Sequence, residues 1–186
     1  MHAFAHILGA DARIFGWCGL PIALSPVSIE VGLTSELELN ADILLVEDDP
    51  NDAELVRRAL KRGGALASIV HVQDGAEALD YLYGRGAFAA RGGHAHPKLV
   101  LLDLKLPKLT GLEVLREVRA HAELRRQVVV MLTSSREERD LQEAYQHGVN
   151  SYVVKAVNFE ELMDSLSRLA HYWLRVNQLP QLRKLP

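Results

Sequence analysis

Cysteine is nearly absent, with Cys18 the one thiol in 186 residues. A single thiol closes no intrachain disulfide, and no Cys/His set has zinc-site spacing, so a reducing compartment, the cytoplasm, is expected. No apolar run reaches the roughly 18 residues that a membrane span requires. The stretch Ile14 to Leu24 is broken by Gly16, Gly19 and Pro21, and Met1 to Leu8 has no Lys or Arg to open a secretory signal. Positive charge is not in excess either: the net charge is -3 and the pI near 6.2. That balance argues against a polyanion-binding surface and so against nucleic acid as a partner.

Regular periodicity is missing from positions 1–40, where Gly16, Gly19, Pro21, Ser25, Pro26 and Ser28 are scattered without a helical or strand repeat. These residues read as a poorly ordered leader or as sequence upstream of the true start, with an anchoring or partner-binding segment as the alternative. They hold one of the 21 basic and four of the 24 acidic residues, which leaves 20 of each in the remainder.

From Asp42 onward the chain is strongly patterned. Ile43–Val46 is a short continuous apolar run, as expected of a strand buried on both faces. Pro50 opens the next element, where its missing N–H does no harm, and Leu55, Val56, Ala59 and Leu60 line one face of a helix that Gly63–Gly64 ends. Ile69–Val72 is a second strand. Asp74, with Glu77 three residues on, has the form of a helix cap before Ala78, Leu79 and Leu82. Gly84 to Pro97 reads as a loop. Leu99–Leu102, Val128–Leu132 and Tyr152–Val154 are further strands, and Thr110–Ala122 and Arg136–His147 are helices. A last helix begins near Asn158 and places Phe159, Leu162, Met163, Leu166 and Leu169 on its apolar face. Five strands joined by short helical crossovers imply an α/β fold, a doubly wound parallel sheet with helices on both faces. Ligands of such sheets bind at the carboxyl ends of the strands.

Those ends carry a coherent set of groups. Glu47, Asp48 and Asp49 follow the first strand, Asp103 the third, Thr133 the fourth and Lys155 the fifth. Converging carboxylates repel one another, and a hard divalent cation relieves that repulsion. A carboxylate beside such an ion is a competent nucleophile toward a phosphoryl donor, while a hydroxyl and an ammonium suit the phosphoryl oxygens. Each residue alone has an ordinary reading: a helix-start acid as a cap, a lysine as a solvated charge, a threonine as a turn residue. Their coincidence at separate strand ends favours phosphoryl transfer.

The segments LLVEDDPND, LLDLKLPKLTGLEVL, VVMLTSS and SYVVK resemble the signature segments of the receiver domains of two-component response regulators, the CheY-like family, over residues 41–175. The resemblance implies a flavodoxin-like sheet of order 2-1-3-4-5. It further implies Asp103 as phosphoacceptor and Mg2+ held by Glu47, Asp48, Asp103 and the Lys105 backbone carbonyl. Thr133 and Tyr152 are then the switch residues, Lys155 the phosphate partner, and Asp49 a helix cap. Lys105 and Ser135 occupy positions that tune hydrolysis in the family. The DLKLPK core, the Gly84–Pro97 loop, NFEELMDSL and the tail HYWLRVNQLP resemble the stand-alone regulators of bacterial phytochrome histidine kinases. The implied partners are such a sensor kinase and a second copy of the chain. That copy would bind through the fourth helix, fifth strand, fifth helix and tail residues 176–186, with Tyr172 and Trp173 contributing apolar surface. The family usually has Pro after the lysine. Here Ala156 follows, and a cis bond without Pro costs about 3–4 kcal/mol, so a trans Lys155–Ala156 bond is expected.

Rival readings fit less well. A haloacid-dehalogenase-type phosphatase needs an acid two residues after its nucleophile, where this chain has Lys105. GxxxxGK[ST] is absent, and the first strand ends in acids where a flavin binder would have a Ser/Thr/Gly loop. His94 and His96 lack a third ligand at metal spacing. About ten residues follow the last helix, which leaves no room for a DNA-binding output domain. A phosphorylation-independent interaction module on the same fold is the remaining alternative.

Overall fold

The computed structural model describes residues 41–62, 67–91 and 96–178. The expected leader, the Gly63–Gly64 stop, His94 and the tail beyond residue 178 lie outside the described residues. Five strands, β1 (Ile43–Val46), β2 (Ile69–Val72), β3 (Leu99–Leu102), β4 (Val129–Thr133) and β5 (Ser151–Val154), alternate with five helices. The helices are α1 (Pro50–Arg62), α2 (Gly75–Tyr83), α3 (Gly111–Ala120), α4 (Glu138–Gln146) and α5 (Phe159–His171). All strand pairs are parallel, in the order β2-β1-β3-β4-β5. This is the flavodoxin-like, CheY-like architecture.

The central strands β1, β3 and β4 are buried along their whole length, which is why they read as unbroken apolar runs. Successive residues of a strand point to opposite faces, so each strand supplies two cores. Leu44, Val46, Val100, Leu102 and Met131 pack with α2 and α3, through residues such as Leu79, Val114 and Leu115. Ile43, Leu45, Leu101, Val130 and Leu132 pack with α1 and α5, through Val56, Leu60, Leu162 and Leu166.

Helix starts follow the local chemistry of the sequence. Asp74 accepts a hydrogen bond from the Glu77 N–H, and Glu77 in turn accepts from the Gln73 N–H. Thr110 and Glu113 form a reciprocal capping box at α3, and Asn158 caps α5. Asp49 Oδ1 accepts from the N–H groups of Asn51 and Asp52 at 2.7 and 3.3 Å, the expected cap of α1.

Four readings are refined. The Gly84–Pro97 segment contains a short 3-10 helix, Gly86–Arg91, from which the Arg91 guanidinium stacks 3.6 Å above the Tyr81 ring. Leu55 and Phe159, expected on the buried faces of α1 and α5, are half-buried and exposed respectively. Both line a cavity beside Lys155, which leaves them partly open. Trp173, in the π-helical turn Tyr172–Val176, packs with Leu174 against the α1–α5 core, while Tyr172 and Val176 are exposed. The described residues contain no cis peptide bond, so Lys155–Ala156 is trans as expected. Among the described residues no helix is long and apolar enough to cross a membrane.

The segment between β3 and α3 is held in an unusual shape. Lys108 adopts a left-handed conformation (φ 63°), and the Leu109 N–H donates to the Pro107 carbonyl at 2.8 Å, a γ-turn. Lys108 Nζ lies 2.5 Å from Asp74 Oδ2, which ties the turn to the start of α2. Gly111 lies so close to the chain leaving β3 that a Cβ there would sit 2.1 Å from the Asp103 carbonyl oxygen. Asp103 is thereby set at the sheet edge by backbone on both sides.

Candidate phosphoacceptor site

The carboxyl ends of β1, β3, β4 and β5 bring the sequence-identified groups together. The Asp103 N–H donates to the Val46 carbonyl at 3.0 Å, and its Oδ1 accepts from the Leu104 N–H at 2.6 Å. That bond fixes the carboxylate plane and leaves Oδ2 facing the other strand ends. Carboxylate oxygens of Glu47, Asp48 and Asp103 lie within 4.8 Å of one another. Glu47 and Asp103 are buried while Asp48 is exposed, so the cluster opens to solvent on one side. Three carboxylates at that spacing are a fitting donor set for a small hard cation that retains waters.

Lys155 occupies the centre. Its ammonium lies 2.6 Å from Glu47 Oε2, 2.9 Å from Asp52 Oδ2 and 3.4 Å from Asp103 Oδ2. Its N–H donates to the Thr133 carbonyl at 2.8 Å, which registers the end of β5 against β4. Burial alone would push the Lys155 ammonium below the ordinary lysine range, but the bonds to Glu47 and Asp52 overcome that and hold it above. Burial pushes Glu47 up to about 7, against the pull of Lys155 and with added repulsion from Asp103 and Asp52. One ammonium shared by several acids leaves the cluster short of positive charge.

The β4–α4 segment closes the other side. Thr133 is buried, and its Oγ1 accepts from the Ser135 N–H at 3.2 Å. The Tyr152 hydroxyl donates to the Ser135 carbonyl at 3.2 Å, and Ser135 Oγ donates to Asp140 Oδ2 at 2.6 Å. The tyrosine is thus bonded to the same turn that the Thr133 hydroxyl engages. Beside Lys155 a cavity of about 300 Å³ is lined by Leu55, Val56, Ala156, Val157, Phe159 and Leu162, together with the polar Asp52, Ser134 and Arg136.

Of the expected site residues, Glu47, Asp48, Asp103 and Lys155 form one cluster, Thr133 and Tyr152 meet at Ser135, and Lys105 is exposed at the start of the β3–α3 segment. Asp52 and Asp140 were missed. Asp52 had a legible signal, because an acid three residues after a cap falls in the first helical turn above the strand ends.

Residues 43–167 match the response regulator receiver domain. The chain belongs to that family. Among curated relatives, the receiver domain is 43% identical over 138 residues to the probable methanogenesis regulatory protein FilR2 of Methanothrix harundinacea, covering 74% of this chain and 86% of the relative. It is 36% identical over 138 residues to the response regulator Rcp1 of Synechocystis sp., covering 74% and 92%. Among solved structures, it superimposes on the phosphorylated cyanobacterial phytochrome response regulator RcpA with a TM-score of 0.70 and 37% identity, over 76% of this chain and 99% of that one. The Mn(2+)-bound form of Rcp1 gives 0.69 and 36%, over 74% and 97%. The bacteriophytochrome response regulator RtBRR gives 0.61 and 49%, over 75% and 83%. Receiver domains are signalling modules that bind a divalent metal and partner with sensor histidine kinases. This receiver domain has phytochrome response regulators among its relatives.

Proposed function

We propose that Asp103 accepts a phosphoryl group from the phosphohistidine of a phytochrome-type sensor kinase, and that the chain signals in the cytoplasm through the resulting change in shape. The observation that carries this reading is the meeting of Asp103 Oδ2 and the Lys155 ammonium at 3.4 Å beside the Glu47–Asp48–Asp103 cluster. In the transfer, an Asp103 carboxylate oxygen forms a bond to phosphorus and the phosphorus–nitrogen bond to histidine breaks. The departing imidazole keeps the electron pair and takes up a proton. Glu47, Asp48, Asp103 and the Lys105 carbonyl would hold Mg2+, which when bound supplies charge neutralisation between the carboxylates and the phosphoryl oxygens. Lys155 pairs with one phosphoryl oxygen and the Thr133 hydroxyl donates to another.

Drawing Thr133 Oγ1 toward the phosphoryl group tugs on its bond from the Ser135 N–H, so phosphorylation pulls on the Thr133–Ser135 turn. The Tyr152 hydroxyl and Asp140 hold the same turn, and carry that pull into β5 and α4. The resulting surface, α4–β5–α5 with Tyr145, Tyr172 and Val176 exposed, is the proposed homodimer face. The acyl phosphate is then lost by attack of water, an intrinsic autophosphatase step flanked by Lys105 and Ser135.

The reading is tested with beryllofluoride, a phosphoryl mimic. Asp48→Ala is expected to weaken its Mg2+-dependent binding at least about a hundredfold, since one of few cation ligands is lost; tight binding by the variant would remove Asp48 from the site. For the dimer, Tyr172→Ser combined with Val176→Ser is expected to weaken self-association at least about tenfold in sedimentation equilibrium. Both side chains are exposed, and because the Tyr172 ring meets Trp173 edge-on at 5.1 Å, thermal denaturation checks that the core which Trp173 and Leu174 enter is kept. An unchanged dimer would dismiss this surface.

A further inference from the structure

Lys155 has three protons to donate, and three carboxylates stand around it. Two of them, Glu47 and Asp103, also belong to the cluster suited to a cation. The third, Asp52, does not. It is the partner that can hold the ammonium without drawing on the cation's ligands. Its hold is also the weaker one, because the Asp52 side chain is 40% exposed against 2% for Glu47 and solvent screens its charge. Its position is fixed, because Asp49 caps the turn that begins at Pro50 and accepts the Asp52 N–H itself.

We propose that Asp52 is a positioning residue that draws Lys155 partly away from the carboxylates suited to a cation. While Asp52 shares the lysine, the ammonium is divided between it and Glu47, and a cation meets less competition for the Glu47 carboxylate. When a phosphoryl group arrives on Asp103, the lysine leaves the screened aspartate for the stronger negative charge. The order of events is then set, with cation loading favoured before the lysine commits to the phosphoryl oxygens. This inference rests on the function proposed above and adds a residue to it.

Removal of the Asp52 carboxylate has opposite consequences for the two ligands. Without Asp52 the lysine leans fully on Glu47 and competes with a cation, yet once a cation has taken Glu47 it meets a phosphoryl mimic with no rival to leave. In the full chain, Asp52→Asn is expected to weaken Mn2+ binding about threefold, read by electron paramagnetic resonance of the free ion. The same variant at saturating Mg2+ is expected to bind beryllofluoride about threefold more tightly. A purely structural loss would weaken both, so the opposite signs separate positioning from folding. Asp52→Ser, which also lacks the charge and suits a helix start, should repeat the pattern if the Asn variant folds poorly. Glu54→Gln removes a charge from the same helix away from the lysine and should move neither affinity. Both affinities unchanged, both shifted the same way, or an equal shift in Glu54→Gln would overturn the role of Asp52 alone. Failure of the unsubstituted chain to bind beryllofluoride at all would overturn the phosphoacceptor reading, and this one with it.

Discussion

Asp103→Asn is expected to carry no acid-labile phosphate after incubation with Mg2+ and a phosphorylated sensor kinase, or with a small phosphoramidate donor, while the unsubstituted chain becomes labelled. The amide matches the carboxylate in shape, and its oxygen still accepts from the Leu104 N–H, as Oδ1 does at 2.6 Å. What it lacks is a charged oxygen able to attack phosphorus, so signal falls to background rather than by a fraction. Loss of label through unfolding is checked by thermal denaturation in cation-free buffer. There the variant is expected to be at least as stable as the parent, because it removes one negative charge from a cluster that shares Lys155. Retained acid-labile label would assign the acceptor to another carboxylate. An unlabelled parent, with the mimic also unbound, would instead favour a phosphorylation-independent interaction module on the same fold.

The second large effect is steric and owes nothing to charge. Gly111→Ala should lower the unfolding free energy by about 3 kcal/mol or more. An added Cβ would lie 2.1 Å from the Asp103 carbonyl oxygen and 3.0 Å from Leu104 Cα, and no flexible side chain can give way there. The Gly111 N–H also donates to the Leu104 carbonyl at 2.9 Å, so relief of the clash breaks a buried bond and lifts α3 off the strand end. Urea denaturation tests this through a lowered midpoint at unchanged slope. An alanine variant as stable as the parent would show that the approach of α3 to Asp103 is looser than the geometry states.

The parts of the fold most open to sequence reasoning were those with one dominant force. β1, β2 and β3 begin and end where the apolar runs do, because burial on both faces leaves no polar residue inside β1 and β3, and His71 is the single exception in β2. Helix starts were readable at Asp49, Asp74 and Asn158, where a side chain satisfies orphan N–H groups. That the acids and Lys155 would meet was legible because topology gathers strand ends irrespective of side-chain detail. The features that stayed hidden depend on three-dimensional neighbours. The packing of Trp173 against the α1–α5 core turns on how a helix end winds through a π-helical turn. The stacking of Arg91 on Tyr81 joins residues whose spacing has no periodic meaning. Asp52 and Asp140 carry ordinary helix-surface charges in sequence, and only their partners, a buried lysine and a loop serine, distinguish them.

The alternation of strand residues between two cores has an evolutionary corollary. Side chains beneath α1 and α5 belong to a different cluster from those beneath α2 and α3, so a substitution on one side is felt on the other only through the strands between them. A lineage can therefore rework one flank to suit a new client while the opposite flank drifts on its own terms, with the strand-end cluster of Glu47, Asp48, Asp103 and Lys155 common to both.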